Sequence, residues 1–234
     1  MTAANSNEDQ FAILRRTMVE QVALHADHVG VRTGRAEIAG PVMEAIARVP
    51  RHAFVPVEMA LYAYLDSPLP IGCGKTISQP FIVALMTDLL EIGAEDRVLE
   101  IGTGLGYQAA LLAELAAEVF TVEVIEELAQ SGRRRLAEQG YGNVRFRVGD
   151  GSLGWPEHAP FDRIIATAAP DLLPPALLQQ LKAGGRMVIP AGLEDDQRLL
   201  LVTKDEGGRF ETEEILPVRF SQLVSGADAA DDDG

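Results

Sequence analysis

The 234-residue, 25.2 kDa chain is 47% hydrophobic and 24% charged, enough for one large domain or one and a half, with a core that needs no disulfide or metal staple. Lys and Arg total 20 against 35 Asp and Glu, a net charge of −15 that makes phosphate backbones and anionic lipid poor partners, so neither nucleic acid nor membrane is expected. No apolar run reaches the roughly 18 residues that span a bilayer, the N-terminus is polar and acidic, and the single Cys73 excludes an intrachain disulfide; a soluble, cytoplasmic protein is expected.

By composition, the first ten residues and the tail 226–234 read as disordered ends. The tail holds only four of the aspartates, so the acidity belongs to the folded body. Phe11, Leu14, Met18 and Val22 recur at near-helical spacing, which predicts an amphipathic helix over Phe11–Leu24. A short helix over Pro41–Val49 starts on proline and stops at Pro50. The proline-punctuated stretch Arg51–Pro70 is too apolar for a linker and too broken for long elements. From Gln79 the pattern alternates. Helices are expected at Phe81–Leu90, Tyr107–Ala117, Glu126–Gln139 and Pro174–Leu181. Strands are expected at Arg97–Ile101, Val119–Val124, Val144–Val148, Arg163–Ala168, Met187–Ala191 and Leu199–Thr203. Arg198–Lys204 and Glu213–Phe220 could add an antiparallel edge. This order predicts an α/β fold, a doubly wound, mainly parallel sheet with an N-terminal helical extension. The expected organisation is an N-terminal segment 1–78 packed on a main domain 79–225, followed by the acidic tail 226–234.

The sharpest local signal is Glu100-Ile101-Gly102-Thr103-Gly104-Leu105-Gly106, at the first strand-to-helix turn. Glycines there let the backbone turn tightly and approach a nucleotide-sized ligand. The G-x-G-x-G spacing departs from the dehydrogenase fingerprint, because position 107 is Tyr. Three carboxylates follow successive strands. Glu100 ends the first, where its charge suits a cationic ammonium or sulfonium ligand. Glu123 ends the second, where it can accept both ribose hydroxyls. Asp150 follows the third, beside Gly151, where it can accept from an adenine amine. The set favours S-adenosylmethionine over NAD. Gly74-Lys75-Thr76 imitates the end of a P-loop, but the required earlier glycine falls on Leu69, so an ATPase is excluded. His25 and His28 lack a third ligand nearby, and Cys73 lacks a local His or Asp, so no metal site or thiol nucleophile is expected.

Thr76-Ile77-Ser78-Gln79-Pro80, together with the G-T-G-L-G-Y-Q turn, resembles the protein-L-isoaspartate O-methyltransferases. The likeness runs from about Met18 to Val218. It takes in Val49-Pro50-Arg51-His52-Ala53-Phe54-Val55-Pro56, Ala63-Tyr64-Leu65-Asp66, Pro160-Phe161-Asp162-Arg163-Ile164-Ile165, Thr167-Ala168-Ala169-Pro170 and Leu181-Lys182-Ala183-Gly184-Gly185-Arg186. The resemblance implies the class I methyltransferase fold and methyl transfer from S-adenosylmethionine, leaving S-adenosylhomocysteine. The acceptor it implies is the free α-carboxylate of an isoaspartyl residue in a damaged protein or peptide. Ser78 matches the family's catalytic serine. Cofactor contacts are implied at Thr76, Ile77, Ser78, Glu100, Gly102, Thr103, Gly104, Gly106, Glu123, Val124, Asp150 and Gly151. Substrate contacts are implied at Thr76, Ser78, Thr167, Ala168 and Ala169. Where the family often carries Val-Pro-Leu after an aromatic residue, Phe220 is followed by Ser221-Gln222-Leu223, in a region that helps hold substrate. The alternative is a class I methyltransferase specialised for one peptide or small carboxylic acid. No metal is implied, and a monomer is the default.

Overall fold

Short, apolar, β-branched runs bounded by turns and helices build the centre of the molecule, as parallel strands buried on both faces require. The computed structural model describes residues 3–33 and 35–224. In chain order it contains α1 (Ala3–Thr33), α2 (Gly40–Arg48), β1 (Leu69–Gly72), β2 (Lys75–Ile77), α3 (Pro80–Leu90), β3 (Arg97–Ile101), α4 (Tyr107–Leu115), β4 (Glu118–Glu123), α5 (Glu126–Glu138), β5 (Val144–Val148), β6 (Phe161–Ala166), α6 (Pro175–Gln180), β7 (Leu181–Ala191), β8 (Gln197–Lys204) and β9 (Phe210–Val218). Short 3-10 turns occupy Arg51–Phe54 and Val57–Tyr62.

Seven strands form one sheet in the order β5-β4-β3-β6-β7-β8-β9. β3 to β7 run parallel, and β8 and β9 close the far side as antiparallel neighbours. Strand order reverses between β3 and β6, which makes their carboxyl ends the expected position for a ligand. Alternation along β3 sends Val98 to one face, against Phe81, Leu85 and Leu89 of α3, and Leu99 and Ile101 to the other, with Phe120 and Phe161. A further cluster joins Met18 and Val22 of α1, Val42 and Ile46 of α2, Phe54 and Val55 to Ala109 and Ala110 of α4 and Leu128 and Leu136 of α5.

β6 is shifted by two residues and β7 starts six residues earlier than expected, and three further differences have a clear cause. α1 spans 31 residues, so it includes most of the ten residues expected to be disordered. Met18, Val22, Ala26, Gly30 and Thr33 form a buried stripe, while Leu24 and Val31 stand in solvent. The packed stripe thus continues past the expected end of the helix, and no proline interrupts the turns on either side. The hairpin β1–β2 was not expected. Its tip, Gly72-Cys73-Gly74, has φ of +98°, +50° and +63°, and its arms are too short to show a period of two. β9 ends two residues before Phe220, because the chain then leaves the sheet edge and Gln222 bridges to Ala169 beyond β6. The expected tail 226–234 lies outside the described residues.

Met18 is fully buried and Leu24 is 70% exposed on the same helix. Met18→Ala is expected to cost about 2–4 kcal/mol in urea unfolding, and Leu24→Ala less than about 0.5 kcal/mol. Equal losses would mean that α1 is not anchored by this stripe.

Candidate active site

The β3–α4 turn can be built only from glycine at two points. Gly102 has φ +93°, and a Cβ there would stand 2.4 Å from Thr167 Oγ1. The Thr167 hydroxyl donates to Gly102 O at 2.7 Å and to Ile101 O at 3.2 Å, tying the end of β6 to the end of β3. Gly106 has φ +98°, and a Cβ would meet Leu136 Cδ1 at 2.7 Å, so this glycine lets α4 start against α5. Between them, the Gly104 amide donates to Glu123 Oε2 at 2.8 Å, and the Ile125 amide donates to Oε1 at 3.0 Å. Each carboxylate oxygen keeps a lone pair free of these amides.

A cleft with an empty volume of about 870 Å³, counted to its open mouth, lies over these turns. Thr76, Ile77, Ser78, Gly102, Thr103, Gly104, Glu123, Val124, Gly151, Thr167 and Ala168 line it, so most of the expected site residues come together. Gly151 sits where a Cβ would be 2.4 Å from Ile101 Cγ2, leaving its backbone as the lining surface. Four expected residues are not among those that line it. Gly106 packs on α5, Ala169 is buried beside Gln222, and Asp150 Oδ1 accepts from Ser152 N at 2.8 Å, capping a 3-10 turn. Glu100 is the fourth, and is treated below.

A second, contiguous cleft of about 1000 Å³ is lined by Pro68, Gln79, Ile82, Val218, Arg219 and Phe220, among others. The two clefts share four residues: Thr76, Ser78, Thr167 and Ser221. All four carry hydroxyls. Ser78 is half-buried, and its hydroxyl has no hydrogen-bond partner among the described residues. The N-cap of α3 is Gln79, with no side-chain cap bond, so Ser78 is not spent on starting that helix. Ser221 was not among the named contacts, although the resemblance puts it in a region that helps hold substrate. Its backbone carbonyl accepts from Ala169 N at 2.9 Å, a long-range pairing with no signal in the local pattern.

Residues 31–228 match the model of the family described as Protein-L-isoaspartate(D-aspartate) O-methyltransferase. The chain belongs to this family. It is 57% identical to Protein-L-isoaspartate O-methyltransferase 1 of Polaromonas sp. (strain JS666) over 216 residues, 92% of each chain. It is 52% identical to Protein-L-isoaspartate O-methyltransferase 2 of Syntrophobacter fumaroxidans, across 96% of this chain and 91% of that one. Among solved structures, a protein-L-isoaspartate O-methyltransferase aligns with a TM-score of 0.75 at 28% identity, over 89% of this chain and 66% of its own. A second, titled as a putative member from Plasmodium falciparum in complex with S-adenosyl-L-homocysteine, shares the fold at 19% identity, with a TM-score of 0.76 and coverage of 90% and 98%.

The site of this isoaspartate methyltransferase family member departs from the sequence expectation in its charges. Glu100 does not face the cleft. Strand alternation points it away from Ile101, into a fully buried chain in which Thr121 donates to Glu100 Oε2 and the Thr121 and Thr103 hydroxyls pair. Burial, opposed by the Thr121 bond and reinforced by Glu123, pushes its carboxyl up to about 8. At pH 7 it is therefore mostly neutral, and it reaches the cleft through Thr121, whose hydroxyl pairs with that of Thr103. Lys75 lines the cleft and forms no ion pair among the described residues. It lies on β2, so it belongs to no phosphate loop. Burial and the neighbouring Glu127 raise the Cys73 pKa, which keeps the thiol protonated. His25 is no idle surface residue, since its Nδ1 lies 2.9 Å from Asp66 Oδ2. Among the described residues, no three His, Cys, Asp or Glu side chains are grouped to hold a metal ion.

An acid raised from 4.5 to about 8 holds its proton in the folded state after the unfolded chain has released it. Its contribution is most favourable below pH 4.5 and is lost as pH rises towards 8, at up to about 1.4 kcal/mol per pH unit. The difference in Tm between Glu100→Gln and the wild type should therefore grow in favour of the variant from pH 5 to pH 8. A difference that is flat across that range would mean the carboxyl is ionised when folded.

Proposed function

We propose that this chain transfers a methyl group from S-adenosylmethionine to the free α-carboxylate of L-isoaspartyl residues in damaged proteins and peptides. The observation that carries the reading is the shared border of two clefts, where the free Ser78 hydroxyl stands between a glycine-walled cleft and an open groove. Family membership and extensive likeness to proteins named for this reaction support it. The groove of about 1000 Å³ suits an extended peptide better than one small carboxylic acid, which disfavours the specialised alternative.

The residues present fit the cofactor. Glu123, fixed by two amides, can accept from the ribose hydroxyls with its remaining lone pairs. Gly102, Thr103, Gly104, Val124 and Gly151 would flank the nucleoside, and Thr76, Ile77 and Ser78 would close over the methionine end. Glu100 and Gly106 support that wall from behind, and Asp150, half-buried beside Gly151, remains placed to accept from the adenine amine. When bound, S-adenosylmethionine supplies a methyl group made electrophilic by its own sulfonium charge.

The protein's share of the work is placement. A substrate carboxylate with a pKa near 4 is already ionised at pH 7, so no residue need act as base. The Ser78 hydroxyl donates a hydrogen bond that orients the carboxylate, with Thr76, Thr167 and Ala168 forming the rim. Orientation and exclusion of water account for up to about 7–11 kcal/mol in oriented intramolecular reactions. Resulting esters of this kind close to a succinimide, whose hydrolysis returns some normal aspartate. Both clefts are lined by one chain, so a monomer suffices.

Two measurements test the reading. Labelled methyl transfer to paired synthetic peptides, identical except for isoaspartate or aspartate at one position, should give base-labile label on the isoaspartyl peptide alone. Label on neither peptide, with cofactor still bound, would remove the substrate assignment. Ser78→Ala should lower kcat/KM about 10–100-fold, in line with a group that orients and does not take a proton. A rate below roughly a millionth of wild type would contradict a purely positioning hydroxyl.

A further inference from the structure

Arg51 is the largest fully buried side chain in the molecule's described core, at 0% exposure. It has no carboxylate within ion-pair distance among the described residues. A buried guanidinium without such a partner is costly, and its burial lowers its pKa, although arginine stays protonated. Its hydrogen bonds go to backbone. Nε donates to Ala63 O at 2.8 Å, and one terminal nitrogen donates to Ser78 O at 2.6 Å. The guanidinium carbon lies 4.7 Å from the centre of the Tyr107 ring, which lines the first cleft. The other terminal nitrogen has no hydrogen-bond acceptor in good geometry among the described residues, while Tyr107 and Asp66 favour the charge electrostatically.

The chain is gripped again just beyond Ser78. Asp66 Oδ1 accepts from Phe81 N at 2.8 Å, and Oδ2 accepts from Gln79 Nε2 at 3.0 Å. The His25 ring touches the same Oδ2 at 2.9 Å and stacks on Phe81 with centroids 4.0 Å apart. Ser78 thus lies between a cation that holds its carbonyl and an anion that holds the next side chain and the first turn of α3. Its side chain is left as the free group at the cleft border.

We propose that Arg51 and Asp66 are positioning residues for methyl transfer, a two-sided clamp on the backbone around Ser78 that sets where its hydroxyl points. This rests on the reading of Ser78 given above. The fork geometry explains the choice of arginine: Nε and a terminal nitrogen reach two carbonyls at once, which a lysine ammonium on a flexible stem does not reproduce. A merely structural arginine would lower Tm and leave the turnover of the folded enzyme unchanged. A clamp acts through Ser78, so its effect must vanish when the hydroxyl is gone.

The test is a double-mutant cycle on the full chain, read as kcat/KM for an isoaspartyl peptide well below each variant's Tm. Arg51→Lys is expected to lose about tenfold in the wild-type background and less than about twofold in the Ser78→Ala background. Asp66→Asn, which keeps an acceptor for Phe81 N, runs through the same cycle and serves if Arg51→Lys does not fold. Equal losses in both backgrounds, or no loss in either, overturn the clamp while leaving the Ser78 reading intact. A neutral Ser78→Ala overturns both.

Discussion

The reversal of strand order between β3 and β6 is the constraint on which the site depends. Crossover helices leave β3 and β6 in opposite directions, so neither covers the gap between their carboxyl ends. The gap is closed at its floor by a contact that tolerates no extra atom, Gly102 against the Thr167 hydroxyl. Everything else is brought to that mouth from elsewhere in the chain. Glu123 arrives from β4, the hairpin arm with Ser78 from the N-terminal segment, and Ser221 from beyond β9.

The parts of this arrangement that were legible in sequence are those in which one segment carries its own signal. β3 and β5 were read with the observed boundaries because short apolar runs end at glycine or charged turns. The glycine turn and Glu123 were read because a tight turn and a strand-end acid have local causes. The illegible parts depend on distant partners. Arg51 opens a proline-punctuated stretch whose pattern does not say which side chains are buried, and the distant carbonyls of Ala63 and Ser78 are what take up its donors. Glu100 looked cofactor-facing because a strand end says nothing about which face its last side chains take. Ser221 reached the site through a backbone pairing with Ala169 that no local pattern announces.

Net charge proved a poor guide to the potential at the site. The chain carries −15, yet the groups around the cleft include cations as well as the charged carboxylate of Glu123. Glu100 keeps its proton, Glu123 is held by two amides, and Lys75 and Arg51 stand on the Ser78 side. Low-dielectric surroundings make such near charges count for more than a screened surface average. An acidic exterior and a cation beside the cleft are therefore compatible in one chain.

The outer sheet edge has its own bearing on how such a protein survives its work. β9 exposes Glu211, Glu213 and Glu214 and carries Pro217, which has no amide proton to offer. Damaged clients are often partly unfolded, and loose extended segments add readily to any open strand that presents a regular row of amides and carbonyls. A row of carboxylates interrupted by proline resists that docking. A repairer built this way can meet sticky chains without becoming the template on which they aggregate.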